Sequence, residues 1–127
     1  MIDCTVKEFG RIDVLVNNAG RGGDSKKIHE LTEKDWDEVI GVNLKSAFLW
    51  TIEAVKNMIK NGGNMQSKDN NYSIINISSV HEQTCQPESA SYAASKEEMQ
   101  MLTKTIALGL ADNGKKSEWY CARGYSD

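Results

Sequence analysis

The residues with chemistry to offer fall in a few short stretches of the chain. Tyr92 and Lys96 stand four apart in Tyr92-Ala93-Ala94-Ser95-Lys96, and on a helix an i, i+4 pair shares one face, one turn apart. An ammonium beside a phenol stabilises the phenolate, so such a pair suits proton exchange near neutral pH. The spacing alone says little in a chain with many lysines; its surroundings make it specific. Ser79 precedes Tyr92 by thirteen residues and closes the run Ser73-Ile74-Ile75-Asn76-Ile77-Ser78-Ser79, at the end of an expected strand. Asn17-Asn18-Ala19-Gly20 closes an earlier apolar run, and Gly20 lets the backbone approach a ligand closely. Asn43 lies between these runs at an otherwise inward-facing position. It suits a buried amide at a break in a helix, a role compatible with work at a site. Ser78 reads as structural, its neighbour having the right spacing. His81 reads as an exposed loop residue or as part of a substrate pocket, and His29 as a surface residue.

The elements that must position these groups follow from hydrophobic spacing. Ile2, Val6 and Phe9 have helical spacing ahead of Gly10, a fitting helix C-terminus. Arg11-Ile12-Asp13-Val14-Leu15-Val16 is β-branched and nearly continuous in apolar residues, the pattern of a strand buried on both faces of a parallel sheet. Thr32-Glu33-Lys34-Asp35 resembles a capping box ahead of a helical segment over about 33–60. Its stripe is Leu44, Phe48, Ile52, Val55 and Ile59, and Gly41 and Asn43 predict a kink or break. Residues 61–72 read as a polar surface loop, 73–79 as a second buried strand, and 80–90 as a loop with the only proline, Pro87. A second long helix is expected over 91–111, with Tyr92, Met99, Leu102, Ile106 and Leu110 on its apolar face. Strand, helix, strand, helix is the alternation of an α/β fold with a parallel sheet. Ligands of such sheets sit at the carboxyl ends of the strands, where both marked runs end.

Composition narrows the classes. The chain has 127 residues, 39% hydrophobic and 26% charged, with a formal net charge of −3. That balance argues against nucleic acid, whose phosphates call for clustered Lys and Arg. No apolar run nears the roughly 18 residues of a membrane span. The start lacks the basic and apolar regions of a secretory signal. Cys4, Cys85 and Cys121 are odd in number and show no CxxC spacing, so they read as reduced thiols, with no disulfide frame and no metal site. A cytoplasmic protein is expected.

The combination of Asn17-Asn18-Ala19-Gly20, Val42-Asn43-Leu44, Ile77-Ser78-Ser79 and Tyr92-Ala93-Ala94-Ser95-Lys96 resembles the short-chain dehydrogenase/reductase family from about residue 5 to 114. Within it, Ser79-Val80-His81-Glu82 is similar to the bacterial glucose 1-dehydrogenases, and the acyl-carrier-protein ketoreductases share most of the rest. The resemblance implies an NAD(P)-dependent oxidoreductase that moves hydride between nicotinamide and an alcohol or carbonyl substrate, sugar or ketoacyl-like. It also implies the roles. Tyr92 exchanges the proton with the substrate oxygen and Ser79 hydrogen-bonds that oxygen. Lys96 tunes Tyr92 and holds the nicotinamide ribose, while Asn43 holds a water that links Lys96 to solvent. Asn17, Asn18, Ala19 and Gly20 pack beside NAD or NADP. The two long helices pair with their copies, implying a homo-oligomer.

A complete dinucleotide site needs a first strand, a glycine-rich turn and a helix N-terminus for the pyrophosphate. Only twelve residues precede Asp13, and the Gly20, Gly22, Gly23 loop opens no helix within a few residues. A six-stranded dinucleotide fold takes about 180 residues or more. Residues 1–114 are therefore read as the central portion of such a domain, a partial Rossmann-type doubly wound sheet. It would keep two central strands and their helices, lack the flanking strands, and leave Val14, Val16, Ile75 and Ile77 without the helices of the other half. Cofactor binding by this chain is expected to be incomplete and activity absent. The alternative is a non-catalytic remnant that keeps only the helix–helix association surface. Residues 115–127 match neither the family pattern nor a clear period. A one-nucleotide shift permits Lys-Arg-Val-Asn-Gly-Ile-Ala-Pro-Gly-Ala-Ile there, so the tail is read as a frameshifted continuation, which the coding DNA would show.

Overall fold

The structure, a computed structural model, describes residues 1–61, 72–79 and 86–110, and the backbone of 120–124. Helix α1 (Ile2–Phe9) stops at Gly10, which takes the left-handed φ of 83° that closes a helix without a Cβ penalty. Strand β1 (Val14–Asn17) leads into an irregular stretch and a single 3-10 turn at Ile28–Glu30. Helix α2 (Glu33–Ile40) begins at Thr32 with the expected capping box, in which the Thr32 Oγ1 accepts from Asp35 N at 3.2 Å and Asp35 Oδ2 accepts from Thr32 N at 2.9 Å. The expected break after α2 is a π-helical turn, Gly41–Lys45, that runs without a gap into α3 (Ser46–Lys60). Strand β2 (Ser73–Ser79) and helix α4 (Ala90–Leu110) follow. The loops expected over 61–72 and 80–90 fall largely outside the described residues, as do His81 and Cys85.

β1 and β2 are parallel, with Val14 opposite Ser73 and Asn17 opposite Asn76. The expected α/β architecture is present. A third strand, β3 (Tyr120–Gly124), extends it by pairing parallel to the other side of β2, with Ile75 opposite Tyr120 and Ser79 opposite Gly124. The period of the tail did not predict this strand. The unpaired backbone edge of β2 supplies a template that overrides weak local propensity.

Burial corrects the reading of β1 as a strand covered on both faces and meets the expectation that Val14 and Val16 are left without covering helices. Leu15 and Ile74 point to one side, where they join Ile2, Ile12, Ala54 and Met58 in the core, with Val6, Trp50, Val55 and Tyr72 packed around them. Val14 and Val16 point to the other side and are half exposed. Successive strand residues alternate faces, and among the described elements α1, α3 and α4 supply the contacts of one face only. The stripe on α3 is corrected too. Its buried row is Ala47, Thr51, Ala54 and Met58, about a quarter turn away from Phe48, Ile52 and Ile59 on the helical wheel. Small residues let α3 approach the sheet closely, which displaces the bulky row toward α4. On α4, Met99 alone of the predicted stripe is fully buried; Ser91, Ser95, Lys96 and Thr103 complete its inward face.

Polar side chains tie these layers together. Asn17 Nδ2 donates to Asn76 Oδ1 at 2.8 Å across the β1–β2 ladder and to Thr51 Oγ1 on α3 at 3.3 Å. Asn76 Nδ2 donates to Thr103 Oγ1 at 2.8 Å, and that hydroxyl donates to Met99 O at 2.7 Å. The run diverges from Asn17, which donates toward α3 on one side and, through Asn76 and Thr103, toward α4 on the other. Ahead of α2, Lys26 Nζ reaches Asp35 Oδ2 at 2.9 Å and Asp24 Oδ2 at 3.2 Å, and Arg21 reaches Glu38 Oε2 at 2.6 Å, stitching the irregular stretch to the helix.

Two predictions follow from these contacts. Replacing Asn76 by Ala strands partners on both sides in a buried site and should lower stability by roughly 2–3 kcal/mol. Urea unfolding measures it, and a loss under about 0.5 kcal/mol would show the network to be dispensable. The Thr32 backbone N–H, the Lys26 ammonium and the Thr32 hydroxyl hold the Asp35 carboxyl down to about 2. A depressed carboxylate stabilises the fold above its unfolded value of about 4 and loses that contribution as pH falls through its folded value. Thermal melts of Asp35→Asn should therefore lie below those of the parent above pH ~4 and converge with them toward pH ~2. A gap independent of pH would contradict the assignment.

Candidate active site

Because β1 and β2 run parallel, their carboxyl ends open toward the same end of the sheet, and α4 begins near that end. Lys96 sits in the second turn of α4, nearly buried at 5% exposure. Its Nζ donates to Ile77 O in β2 at 2.9 Å and lies 5.8 Å from the centroid of the Tyr92 ring. The helix thus delivers the expected one-turn pairing, with the ammonium over the ring face. Ser79 is also buried and ends β2 two residues beyond Ile77. Ser78 lies on the helix-covered side with Ile74 and Asn76, as strand alternation requires.

Asn43 is 1% exposed inside the π-helical turn. Its Oδ1 accepts from Arg21 N at 2.8 Å, and its Nδ2 donates to Arg21 O at 3.0 Å and to Ser95 Oγ at 3.0 Å. Both amide protons and the carbonyl oxygen are engaged, and the two opposite bonds to Arg21 leave no ambiguity in the orientation of the amide. The glycine of the first strand end belongs to the same small volume. A methyl group placed on Gly20 would sit 3.6 Å from Asn43 Oδ1 and 3.6 Å from Lys96 Nζ.

Gly20, Asn43, Tyr92 and Lys96 are thereby brought together, with Ser79 at the strand end beside them. Asn17 is placed differently from its three neighbours. Its amide turns into the interior network with Asn76 and Thr51, so its side chain serves the sheet. Asn18 and Ala19 are exposed and border a cavity of about 110 Å³ with Val16, Ser46 and Trp50. Close approach of backbone is a feature of Gly23. Its φ is 79°, and a Cβ there would fall 2.9 Å from the buried Val39 Cγ2, so only glycine seats this stretch against α2 and α4. His29 is exposed, as expected. Among the described residues no group of three His, Cys, Asp or Glu side chains is arranged to hold a metal ion.

Two partners escaped the sequence reading. The Ile77 carbonyl is a backbone group, and nothing in a side-chain pattern marks it. Ser95 sits between Tyr92 and Lys96, fully buried, and connects to Asn43. The available signal was a serine in a helix interior, where it is a poor helix former and needs a reason to be there.

Comparison with known proteins places the chain in a family. The family model described as short chain dehydrogenase matches residues 1–116. Glucose 1-dehydrogenase 2 of Bacillus subtilis is 40% identical over 114 residues, which are 90% of this chain and 42% of that protein. The 3-oxoacyl-acyl-carrier-protein reductase of Thermotoga maritima is 43% identical over 111 residues, 87% of this chain and 42% of that one. Acetoin dehydrogenase from Enterobacter cloacae superposes with a TM-score of 0.75 at 37% identity, covering 86% of this chain and 40% of the other. NAD+-bound xylitol dehydrogenase gives 0.74 at 31% identity, with coverage of 86% and 39%. The chain therefore spans about two fifths of the length of these relatives. With its parallel sheet, its strand-end Asn-Asn-Ala-Gly turn and its paired tyrosine and lysine, the chain belongs to the short chain dehydrogenase family.

Proposed function

We propose that this chain carries the proton-transfer half of an NAD(P)-dependent alcohol or carbonyl oxidoreductase and only part of the cofactor site. The observation that carries the reading is the convergence on Lys96, whose buried ammonium bonds the Ile77 carbonyl and lies over the Tyr92 ring, with Gly20 between it and Asn43, at the ends of two parallel strands. A buried cation next to a phenol and a strand-end serine is suited to an oxygen that alternates between hydroxyl and carbonyl. Tyr92 holds the proton exchanged with that oxygen. Ser79 hydrogen-bonds the same oxygen and stabilises the charge that develops on it. Lys96 holds its ammonium over the Tyr92 ring, and Asn43, locked in its turn, positions a water that links Lys96 to solvent.

The nicotinamide end of a dinucleotide fits the residues present. Gly20 leaves room beside an ammonium able to hold ribose hydroxyls, and Asn18 and Ala19 are exposed next to it. When bound, the nicotinamide supplies or accepts the hydride. Among the described residues nothing fits the pyrophosphate end. That group calls for a glycine-rich turn opening onto a helix N-terminus, whereas the Gly20–Gly23 stretch continues to the short 3-10 turn at Ile28. The substrate class suggested by the relatives is a sugar or ketoacyl-like alcohol or carbonyl; a cytoplasmic location rests on the odd, unpatterned cysteines.

A second reading is favoured by the outward apolar rows. Phe48 and Ile59 on α3 and Met101 and Leu108 on α4 are 43% to 77% exposed. Grooves of about 300 and 400 Å³ run between the two helices, lined by Phe48, Leu102, Ile52 and Ile106 among others. In this reading the chain is a non-catalytic remnant that associates through these helices, with itself or with an intact relative.

One purified sample addresses both readings. Titration of NADH and NADPH into the 127-residue chain should give no saturable fluorescence enhancement at micromolar concentrations, and saturable enhancement would remove the claim of an incomplete cofactor site. Sedimentation of the same sample should show species above the 14.1 kDa monomer; a monomer at all concentrations would remove the association surface. The catalytic roles are tested in a chimera in which residues 1–114 replace the matching segment of the Bacillus subtilis relative. It should oxidise glucose with NAD or NADP, and Tyr92→Phe should lower kcat by about 10²–10⁴. A chimera whose rate survives that change would exclude Tyr92 as the acid–base group.

A further inference from the structure

We propose that Ser95 is a positioning residue that couples the Asn43 amide to the turn of α4 carrying Tyr92 and Lys96. Its hydroxyl is wholly buried and has one partner in each direction. It accepts from Asn43 Nδ2 at 3.0 Å and donates to Tyr92 O at 2.7 Å. A hydroxyl has a single proton. With that proton directed to the Tyr92 carbonyl, the oxygen faces Asn43 with a lone pair, so the donor order along the chain of bonds is fixed. The Tyr92 carbonyl is also the group that an α-helix pairs with the N–H four residues on, which is Lys96.

The coupling spans three separate elements. Arg21 follows the glycine of the first strand end, Asn43 lies in the π-helical turn, and Ser95 lies in α4. Arg21 clamps the Asn43 amide from both sides, and Ser95 transmits that fixed orientation to the backbone under Tyr92. Alanine at position 95 would leave one buried Asn43 proton without its acceptor and would release the Tyr92 carbonyl from its second donor. Threonine keeps an oxygen able to bond the i−3 carbonyl in a helix and would keep both links. Ser91, buried one turn earlier on the same face, is a matched control with no bond to Asn43 among those described.

This inference rests on the proposed roles of Tyr92 and Lys96, and its test reads their placement without depending on turnover or cofactor. In the isotopically labelled 127-residue chain, NMR resolves the Asn43 side-chain amide, the Lys96 ε-methylene and the Tyr92 ring. Ser95→Ala should reduce the exchange protection of one Asn43 amide proton by about ten- to a hundredfold and move the Lys96 and Tyr92 resonances. Ser95→Thr should retain protection and resonance positions, and Ser91→Ala should leave all three signals in place whatever it does to stability. If Ser95→Ala does not fold, Ser95→Cys, a weak acceptor of similar size, should give a smaller loss in the same protons. The proposal is overturned if the position-95 variants leave Asn43 protection unchanged, or if Ser91→Ala moves the signals as much as they do. Failure of Tyr92→Phe to slow the chimera would remove the catalytic reading while leaving this coupling to stand or fall on Asn43 protection.

Discussion

A side-chain amide buried inside a helical segment has to find hydrogen-bond partners beyond the helix, because its protons and carbonyl oxygen cannot be left dry without a penalty of a few kcal/mol. Asn43 meets that constraint by drawing three segments together. Arg21 donates to it and accepts from it, and Ser95 takes its remaining proton. The π-helical turn is the local consequence. One extra residue per turn at Gly41–Lys45 lets the inward position carry an amide that no regular helix would aim at both partners. Remove that amide and the stretch after β1 loses its hydrogen-bonded link to α4 through Ser95, keeping only the packing of Gly23 there.

Below that contact, a second polar run holds the strands in register. Asn17 and Asn76 are opposite one another in the ladder and bonded through their side chains. A one-residue slip of either strand would put the two on opposite faces, so the pair specifies register as well as adding stability. Thr51 and Thr103 extend it into the two helices. Polar and small residues therefore line much of the layer between sheet and helices. The aliphatic core gathers instead around Met58, Ile74 and Leu15, toward α1.

Bulky apolar residues are displaced to other faces as a result. Close approach of Ala47, Ala54 and Thr51 to the sheet leaves Phe48 and Ile52 along the groove toward α4. Val14 and Val16 stand on the sheet face away from all described helices. Exposed apolar rows of this kind are characteristic of surfaces that another element covers, and the chain spans about two fifths of the length of its relatives.

Local chemistry was enough to locate much of this. Capping at Thr32, the stop at Gly10, the break near Asn43, both central strands and the one-turn spacing of Tyr92 and Lys96 are set by residues within a few positions of one another, and each was readable in order along the chain. The packing side of α3 and the third strand were not. Those depend on how closely helices can approach a sheet and on which edges find a partner, quantities that arise only when distant segments meet. The same holds within the site. Its residue types were visible in the motifs, but the inward turn of Asn17, the hold of Ile77 on Lys96 and the bridging place of Ser95 were decided by hydrogen-bond partners up to 59 residues apart, where spacing along the chain carries no information.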